Sequence, residues 1–297
     1  MRVVISGATG LIGTALCATL SDAGHEVVRL VRREATASDI LWDPARRSLP
    51  AGALRGTDAV VHLAGAGIGD RRWSDSYRRE ILESRTASTS LLADAIATTE
   101  DGPRVFLSGS AIGYYGATGD EQLDESSPAG TGFLADVCVQ WEAATAPAAQ
   151  AGARVAHLRT GIVLSPAGGA LKKLLPLFSI GAGGRFGSGR QWQSWISLPD
   201  EVGAIVHLLT AEVSGPVNLT APNPLTNAEF TKVLASVMRR PALLPVPRLG
   251  PALLLGGDLA DALLYTGQRV MPGVLTRSGY QFQHPALDMA LRALLGR

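Results

Sequence analysis

Near the amino terminus, Gly7-Ala8-Thr9-Gly10-Leu11-Ile12-Gly13 has the residue types and spacing to cradle a pyrophosphate. An apolar run, Val3-Val4-Ile5, precedes it, and Leu11, Ile12, Ala15, Leu16 and Leu20 recur after it at helical intervals. The order is strand, glycine turn, helix. Glycine adopts backbone angles closed to other residues and lets a ligand approach the main chain. The helix that follows offers unpaired N–H groups and the positive end of its dipole. Contacts to a dinucleotide are therefore expected from Gly7, Thr9, Gly10, Leu11, Ile12 and Gly13. The plainer alternative is a tight strand–helix turn with no ligand, and the residues downstream weigh against it.

The second strand, Val27 to Val31, ends in Arg32-Arg33. An NAD site places a carboxylate at this strand end to hold the ribose 2′-hydroxyl. A guanidinium instead grips a 2′-phosphate through charge-assisted hydrogen bonds. NADP(H) is thus expected over NAD, with Arg32 ahead of Arg33 because it comes first after the strand. The third strand, Asp58 to Leu63, runs into Ala64-Gly65-Ala66-Gly67, small residues that leave room for adenine and ribose in the crevice of an open sheet. Leu63, Ala64 and Gly65 are candidate cofactor contacts there, as is Ser108 at the end of the fourth strand, Val105 to Leu107.

Composition narrows the class. Of 297 residues, 46% are hydrophobic and 18% charged, enough apolar chain for a sizeable core. A net charge of +1 gives no reason to expect a nucleic acid or an anionic membrane as partner. Cys17 and Cys138 lie in apolar helical patterns and read as buried thiols of a reducing compartment. A core strand at the amino terminus leaves no room for a signal peptide, and no apolar run is long enough to span a bilayer. A cytoplasmic protein with a small-molecule substrate and no metal site is the expectation.

Further helices are expected over Trp73–Ile96, Phe133–Glu142, Leu171–Phe178, Asp200–Leu209, Thr226–Met238, Leu259–Leu264 and Leu287–Leu295. The charged start of the first of these reads as a solvated face. Leu41 to Pro44 is a loop without an assigned role. The pattern predicts a doubly wound parallel α/β sheet of the Rossmann type over residues 1–164 and 196–220. A smaller, mostly helical substrate domain is expected from 165–195 and 221–297.

Several segments together resemble one group. They are G-A-T-G-L-I-G, the Val-Arg strand end, G-x-D-A-V-V-H-L-A-G, E-S-R-x-x-S-T, G-Y-Y-G, F-L-A-D-V-C-x-x-W-E, the tryptophan segment and Gly267-Gln268-Arg269-Val270-Met271-Pro272. Over nearly its whole length the chain is similar to the atypical short-chain dehydrogenase/reductases called epimerase family proteins, which end in a small domain of unknown function. The resemblance implies an NADP(H)-binding oxidoreductase or nucleotide-sugar-epimerase-like enzyme. By it, Ser110 holds the catalytic serine's position, as hydrogen-bond donor to a substrate oxygen. His62 packs at a strand end, and Arg85 lies where many relatives have an active-site asparagine.

The resemblance also exposes a gap. Relatives carry Y-x-x-x-K on the helix after the fourth strand, where the phenol exchanges a proton and the lysine lowers its pKa. Aligned on Glu142, those positions hold Leu134 and Cys138, and no Tyr-x-x-x-Lys occurs anywhere. Tyr114 or Tyr115 is left as proton donor, Tyr115 being the better placed to pack, with Arg85 as a cationic partner. The competing class is a non-catalytic, NADPH-binding regulatory protein.

Overall fold

The computed structural model describes residues 1–242 and 244–297. Seven strands form one parallel sheet: β1 (Arg2–Ser6), β2 (Glu26–Val31), β3 (Ile40–Leu41), β4 (Ala59–His62), β5 (Val105–Ala111), β6 (Arg154–Thr160) and β7 (Gly215–Leu219). Their spatial order is β3-β2-β1-β4-β5-β6-β7, which reverses between β1 and β4 and opens a crevice at the strands' C-terminal ends. Central strands are covered on both faces, so they read as continuous apolar runs: Val3, Val4, Ile5, Val60, Val61, Phe106 and Leu107 have no exposed surface. This is the Rossmann-type doubly wound sheet expected from the sequence.

The helices that matter here are α1 (Leu11–Asp22), α2 (Asp75–Thr98), α3 (Phe133–Ala143), α4 (Gly169–Ser179), α5 (Leu198–Thr210), α6 (Asn227–Met238) and α7 (Leu287–Leu295). Leu16 and Leu20 of α1 join Ile205 and Leu208 of α5 on one face of the sheet. Leu92 and Ile96 of α2 cover the other, where α3 packs against α2 through Val137. Side chains set the helix starts. The Ser74 hydroxyl accepts from the Tyr77 amide, and Thr226 with Glu229 closes a reciprocal box at α6.

Leu41 to Pro44 proves to be more than a loop. Ile40–Leu41 adds an edge strand to β2, and Trp42 is buried with its ring edge-on to His62. A two-residue strand is too short to show a period in the sequence.

A second apolar cluster gathers Leu171 and Phe178 of α4, Phe230 and Leu234 of α6, Leu291 of α7, and Leu164 and Trp195. Trp195–Ser197 pairs with Ile162–Leu164, after which α5 and β7 return to the main sheet. Asp200, at the start of α5, ties the C-terminal segment to it. Its carboxylate has no exposed surface and accepts from the Gln283 amide (2.7 Å), the His284 amide (2.9 Å) and the Tyr280 hydroxyl (3.1 Å).

The next residue, Glu201, is also fully buried and has one partner among the described residues, the Thr160 hydroxyl at 2.9 Å. Burial pushes its carboxyl up to about 8, against the weaker pull of Thr160. The folded chain therefore keeps a proton that the unfolded chain releases above about pH 4.5. The stabilisation is complete below that pH and is lost as pH rises through about 8. Glu201→Gln should remove this loss, so that the variant gains roughly 2–4 kcal/mol on wild type between pH 5 and pH 8.5. Urea unfolding at the two pH values measures it.

Candidate functional site

Contact distances show why the turn after β1 needs its glycines. Gly7 has φ +71°, and a Cβ there would stand 2.7 Å from the Leu63 carbonyl carbon at the end of β4. A Cβ on Gly13 would fall 2.2 Å from the Gly7 carbonyl oxygen, so Gly13 lets α1 close onto the turn. Around Gly10, beyond its chain neighbours, the one atom of the described residues within 4 Å of a Cβ would be the Gly7 oxygen, at 3.3 Å. That position opens outward. Thr9 and Gly10 are exposed, Leu11 and Ile12 half-buried. Among the described residues no side chain caps α1, which leaves its first-turn N–H groups for a ligand. Leu63 and Ala64 flank the same crevice half-buried, and Gly65 is exposed.

Arg32 and Arg33 lie just beyond β2, both exposed and without an ion pair among the described residues. Their neighbour Arg29 differs. It holds Asp39 through two hydrogen bonds of 2.7 Å, which keeps that carboxyl far below its usual range. Two free guanidinia come first at this strand end, ahead of the exposed carboxylate of Glu34, and fit a 2′-phosphate. The open face at Gly10 fits a pyrophosphate. Ser108 is a correction to the expected contacts: its side chain has no exposed surface and bonds the adjoining Gly109 carbonyl, out of a ligand's reach.

His62 packs as expected. Ser6 Oγ lies 2.5 Å from its Nδ1 and Ser88 Oγ 3.0 Å from its Nε2. Burial, helped by the Arg85 charge, pulls its imidazole down to about 3, so it is neutral. Because the Ser88 hydroxyl donates to the Ser84 carbonyl at 2.6 Å, the histidine proton is assigned to Nε2.

Beyond β5 a buried network takes over. Glu142 of α3 receives Arg159 Nε at 2.8 Å and Nη2 at 2.9 Å. Arg159 Nη1 donates to the Tyr115 hydroxyl (3.0 Å), which donates to Asn218 Oδ1 (2.7 Å). Ser110 Oγ donates to Glu142 Oε1 at 2.6 Å. These bonds correct two expectations. Tyr115 is sealed in the core, where burial pushes its phenol up to about 12, and it is not the proton donor. A hydroxyl has one proton, and that of Ser110 goes to Glu142, so toward a ligand Ser110 presents lone pairs. Tyr114 is half-buried beneath the Arg159 guanidinium, which lies 3.4 Å from its ring centre. Its hydroxyl has no hydrogen bond among the described residues and is not among the atoms sealed from solvent.

Leu134 and Cys138 face this turn: a Cβ on Gly113 would lie 3.4 Å from Leu134 Cβ and 3.9 Å from Cys138 Sγ. Burial, with Glu142 adding, pushes the Cys138 thiol up to about 11, which leaves it inert. Arg85, on α2, turns back under the loop after β4 and donates to the Ala66 carbonyl at 2.9 Å. Glu142 closes a motif in the sequence, while nothing in the local pattern singles out Arg159. Their pairing joins residues 17 apart on a helix and a strand, which no local period reports.

The model of the NAD dependent epimerase/dehydratase family matches residues 3–220. The chain belongs to that family. A domain of unknown function, DUF1731, matches residues 246–294. An epimerase family protein of Mycobacterium bovis is 47% identical over 291 residues, 97% of this chain and 96% of that one. The human epimerase family protein SDR39U1 is 37% identical over 299 residues, covering 99% and 100% of the two chains. The crystal structure of its isoform 2 with NADPH superposes with a TM-score of 0.92 at 35% identity, over all of both chains. A nucleoside-diphosphate sugar epimerase of Corynebacterium glutamicum superposes at 0.83 with 39% identity, over 100% of this chain and 58% of that one.

In this family member the Glu142–Arg159 pair is nearly closed to solvent, with side-chain exposures of 11% and 3%. Removing one partner leaves the other charge uncompensated. Glu142→Gln should cost roughly 3–5 kcal/mol in urea unfolding at pH 7. A cost below about 1 kcal/mol, the range of exposed pairs, would show the pair to be solvated.

Proposed function

We propose that this chain binds NADP(H) in the β1–α1 turn and transfers hydride to or from a small-molecule substrate, as an oxidoreductase or an epimerase-like enzyme. The observation that carries the reading is the pair of free guanidinia, Arg32 and Arg33, beside a glycine turn that opens outward only at Gly10. The NADPH in the human relative's structure supports it. Bound there, the cofactor supplies the hydride. The chain's own residues must do the rest. Tyr114, with a hydroxyl free of internal partners, exchanges the proton at the substrate oxygen. Ser110, oriented by Glu142, accepts a hydrogen bond from a substrate hydroxyl. Leu134 and Cys138 fill the floor with apolar surface and exclude water. Neither a nucleic acid nor a membrane enters this reading, and the cytoplasm is the proposed location; among the described residues no helix is long and apolar enough to cross a membrane.

A second reading rests on the same floor. Leu134 has no ionisable group, the Cys138 thiol stays un-ionised at neutral pH and the Ser110 hydroxyl points its proton at Glu142, which suits a protein that responds to NADPH without turnover. Screening carbonyl compounds and sugar nucleotides for NADPH oxidation separates the two.

Arg32→Ala should weaken NADPH roughly 10- to 150-fold and NADH much less, the loss of one or more charged hydrogen bonds. Fluorescence titration of both cofactors checks this, and equal losses would place the phosphate elsewhere. Where turnover is found, Tyr114→Phe should lower it by about 10²–10⁴ and leave NADPH affinity unchanged. Full turnover in that variant would favour a proton from solvent.

A further inference from the structure

Residues 257–268 run between two walls of the crevice and are held differently at their two ends. Gly257–Ala260 is a short helix that continues into a wider π-helical turn, Asp261–Tyr265. At the later end the chain is clamped. A Cβ on Gly267 would fall 1.9 Å from the Trp192 carbonyl oxygen, so the two backbones lie directly on each other. Gln191 Nε2 donates to the Leu264 carbonyl at 2.6 Å, and Ser194 Oγ donates to the Gln268 carbonyl at 2.7 Å. Gln268 Nε2 in turn donates to the Gly116 carbonyl at 2.7 Å. Gly116 follows the turn that carries Tyr114, and Val270 packs in the same small cluster as Tyr114 and Tyr115.

At the earlier end surface side chains make the hold, and they come from the loop after β4. The Arg72 guanidinium donates to the Leu253 carbonyl, and its Cγ lies 3.8 Å from where a Cβ on Gly256 would stand. Arg78, in the first turn of α2, pairs with Asp258 at 2.5 Å, with 32% and 74% of the two side chains exposed. A Cβ on Gly69 would lie 3.6 Å from Leu263 Cδ1. An ion pair so exposed adds little to the hold. Gly256 has φ +88°, a backbone state that glycine takes without strain and a natural place to bend. Leu259 and Ala260 are buried, and the other residues of the span are half-buried or exposed. Segments with few buried contacts open at small cost, and lids are drawn from them.

One end thus meets the loop that begins with Leu63, Ala64 and Gly65, and the other meets the turn of Tyr114. We propose that residues 257–268 are a strap over the mouth of the crevice, which lifts at its loop end to admit substrate and closes to shut out water. The proposal rests on the reading of that crevice as the site of hydride transfer. It gives the unequal ends a use: the clamped end fixes where the strap returns, and the surface-held end sets how readily it lifts.

A lock on the strap, read through the reactivity of Tyr114, tests it. Of the five tyrosine hydroxyls, those of Tyr77, Tyr115 and Tyr280 are hydrogen-bonded and that of Tyr265 is sealed, which leaves Tyr114 for N-acetylimidazole. In the full-length Gly69→Cys/Leu263→Cys variant a disulfide joins strap to loop, and mass spectrometry identifies both the bridge and the acetylated residue. Without cofactor, Tyr114 should acetylate roughly tenfold more slowly in the oxidised variant than in the same variant reduced. Equal rates in the two forms overturn the proposal. So does a Tyr114 that resists the reagent in wild type and reduced variant alike. If wild type fails to bind NADPH in a fluorescence titration, the hydride-transfer reading falls, and the ratio of the acetylation rates still decides whether the strap lifts. Should the double variant fail to fold or to form its bridge, Asp258→Lys reads the same point from the other side. Loss of the pair with Arg78 should raise the Tyr114 rate roughly two- to fivefold, and Arg78→Glu with Asp258→Lys, which reverses the pair, should return it to that of wild type. An unchanged rate in Asp258→Lys overturns the proposal.

Discussion

The two-pronged ion pair between Glu142 and Arg159 is the contact on which the site's geometry turns. It joins α3 to β6 across the end of β5, and the pair also bonds Ser110 and the buried Tyr115. Glu142 accepts a hydrogen bond from Ser110, and Arg159 holds the Tyr115 hydroxyl and covers the Tyr114 ring. Tyr115 passes the constraint to Asn218 on β7, whose amide and side chain reach Glu125 and the Met271 carbonyl. A charge pair in a low-dielectric setting is tolerated only when its other valences are filled. Here that requirement fixes the direction of four side chains at once.

The glycine turn adds a constraint of a different kind. At Gly7 and Gly13 the backbone approaches within distances no Cβ allows, so α1, the turn and the end of β4 behave as one packed unit. Gly10 is left facing outward by that packing. A rigid floor with one open backbone face suits a ligand that binds without reorganising it, which keeps the entropic cost of binding low.

On this frame the wall beside the turn after β5 is apolar. Leu134 and Cys138 pack on Gly113, and Arg85 reaches over from α2 to the Ala66 carbonyl. The C-terminal segment is bound to the same structure through buried carboxylates. Asp200 gathers the amides of Gln283 and His284, and Glu125 accepts from the amides of Asn218 and Val274. The cluster of α4, α6 and α7 is separate from those on the two faces of the sheet, while these polar ties hold residues 274–284 against the sheet.

What the sequence determined alone was whatever depends on local spacing. The Gly7–Gly13 turn, the arginines after β2, the apolar strands and the helices at Asn227–Met238 and Leu287–Leu295 all follow from periods of a few residues and from capping side chains. The absence of the Tyr-x-x-x-Lys pair was legible for the same reason. Tertiary structure decided what depends on residues distant in the chain. Tyr114 and Tyr115 are adjacent and alike in sequence, and only the position of Arg159, 44 residues from Tyr115, sends one hydroxyl into the core and leaves the other free. Ser110 looked like a donor to substrate until Glu142, 32 residues on, was seen to accept its hydrogen bond. Ser108 faced the crevice by position and the core by packing. Hydrogen-bond direction and burial are properties of neighbours in space, and a linear spacing does not carry them.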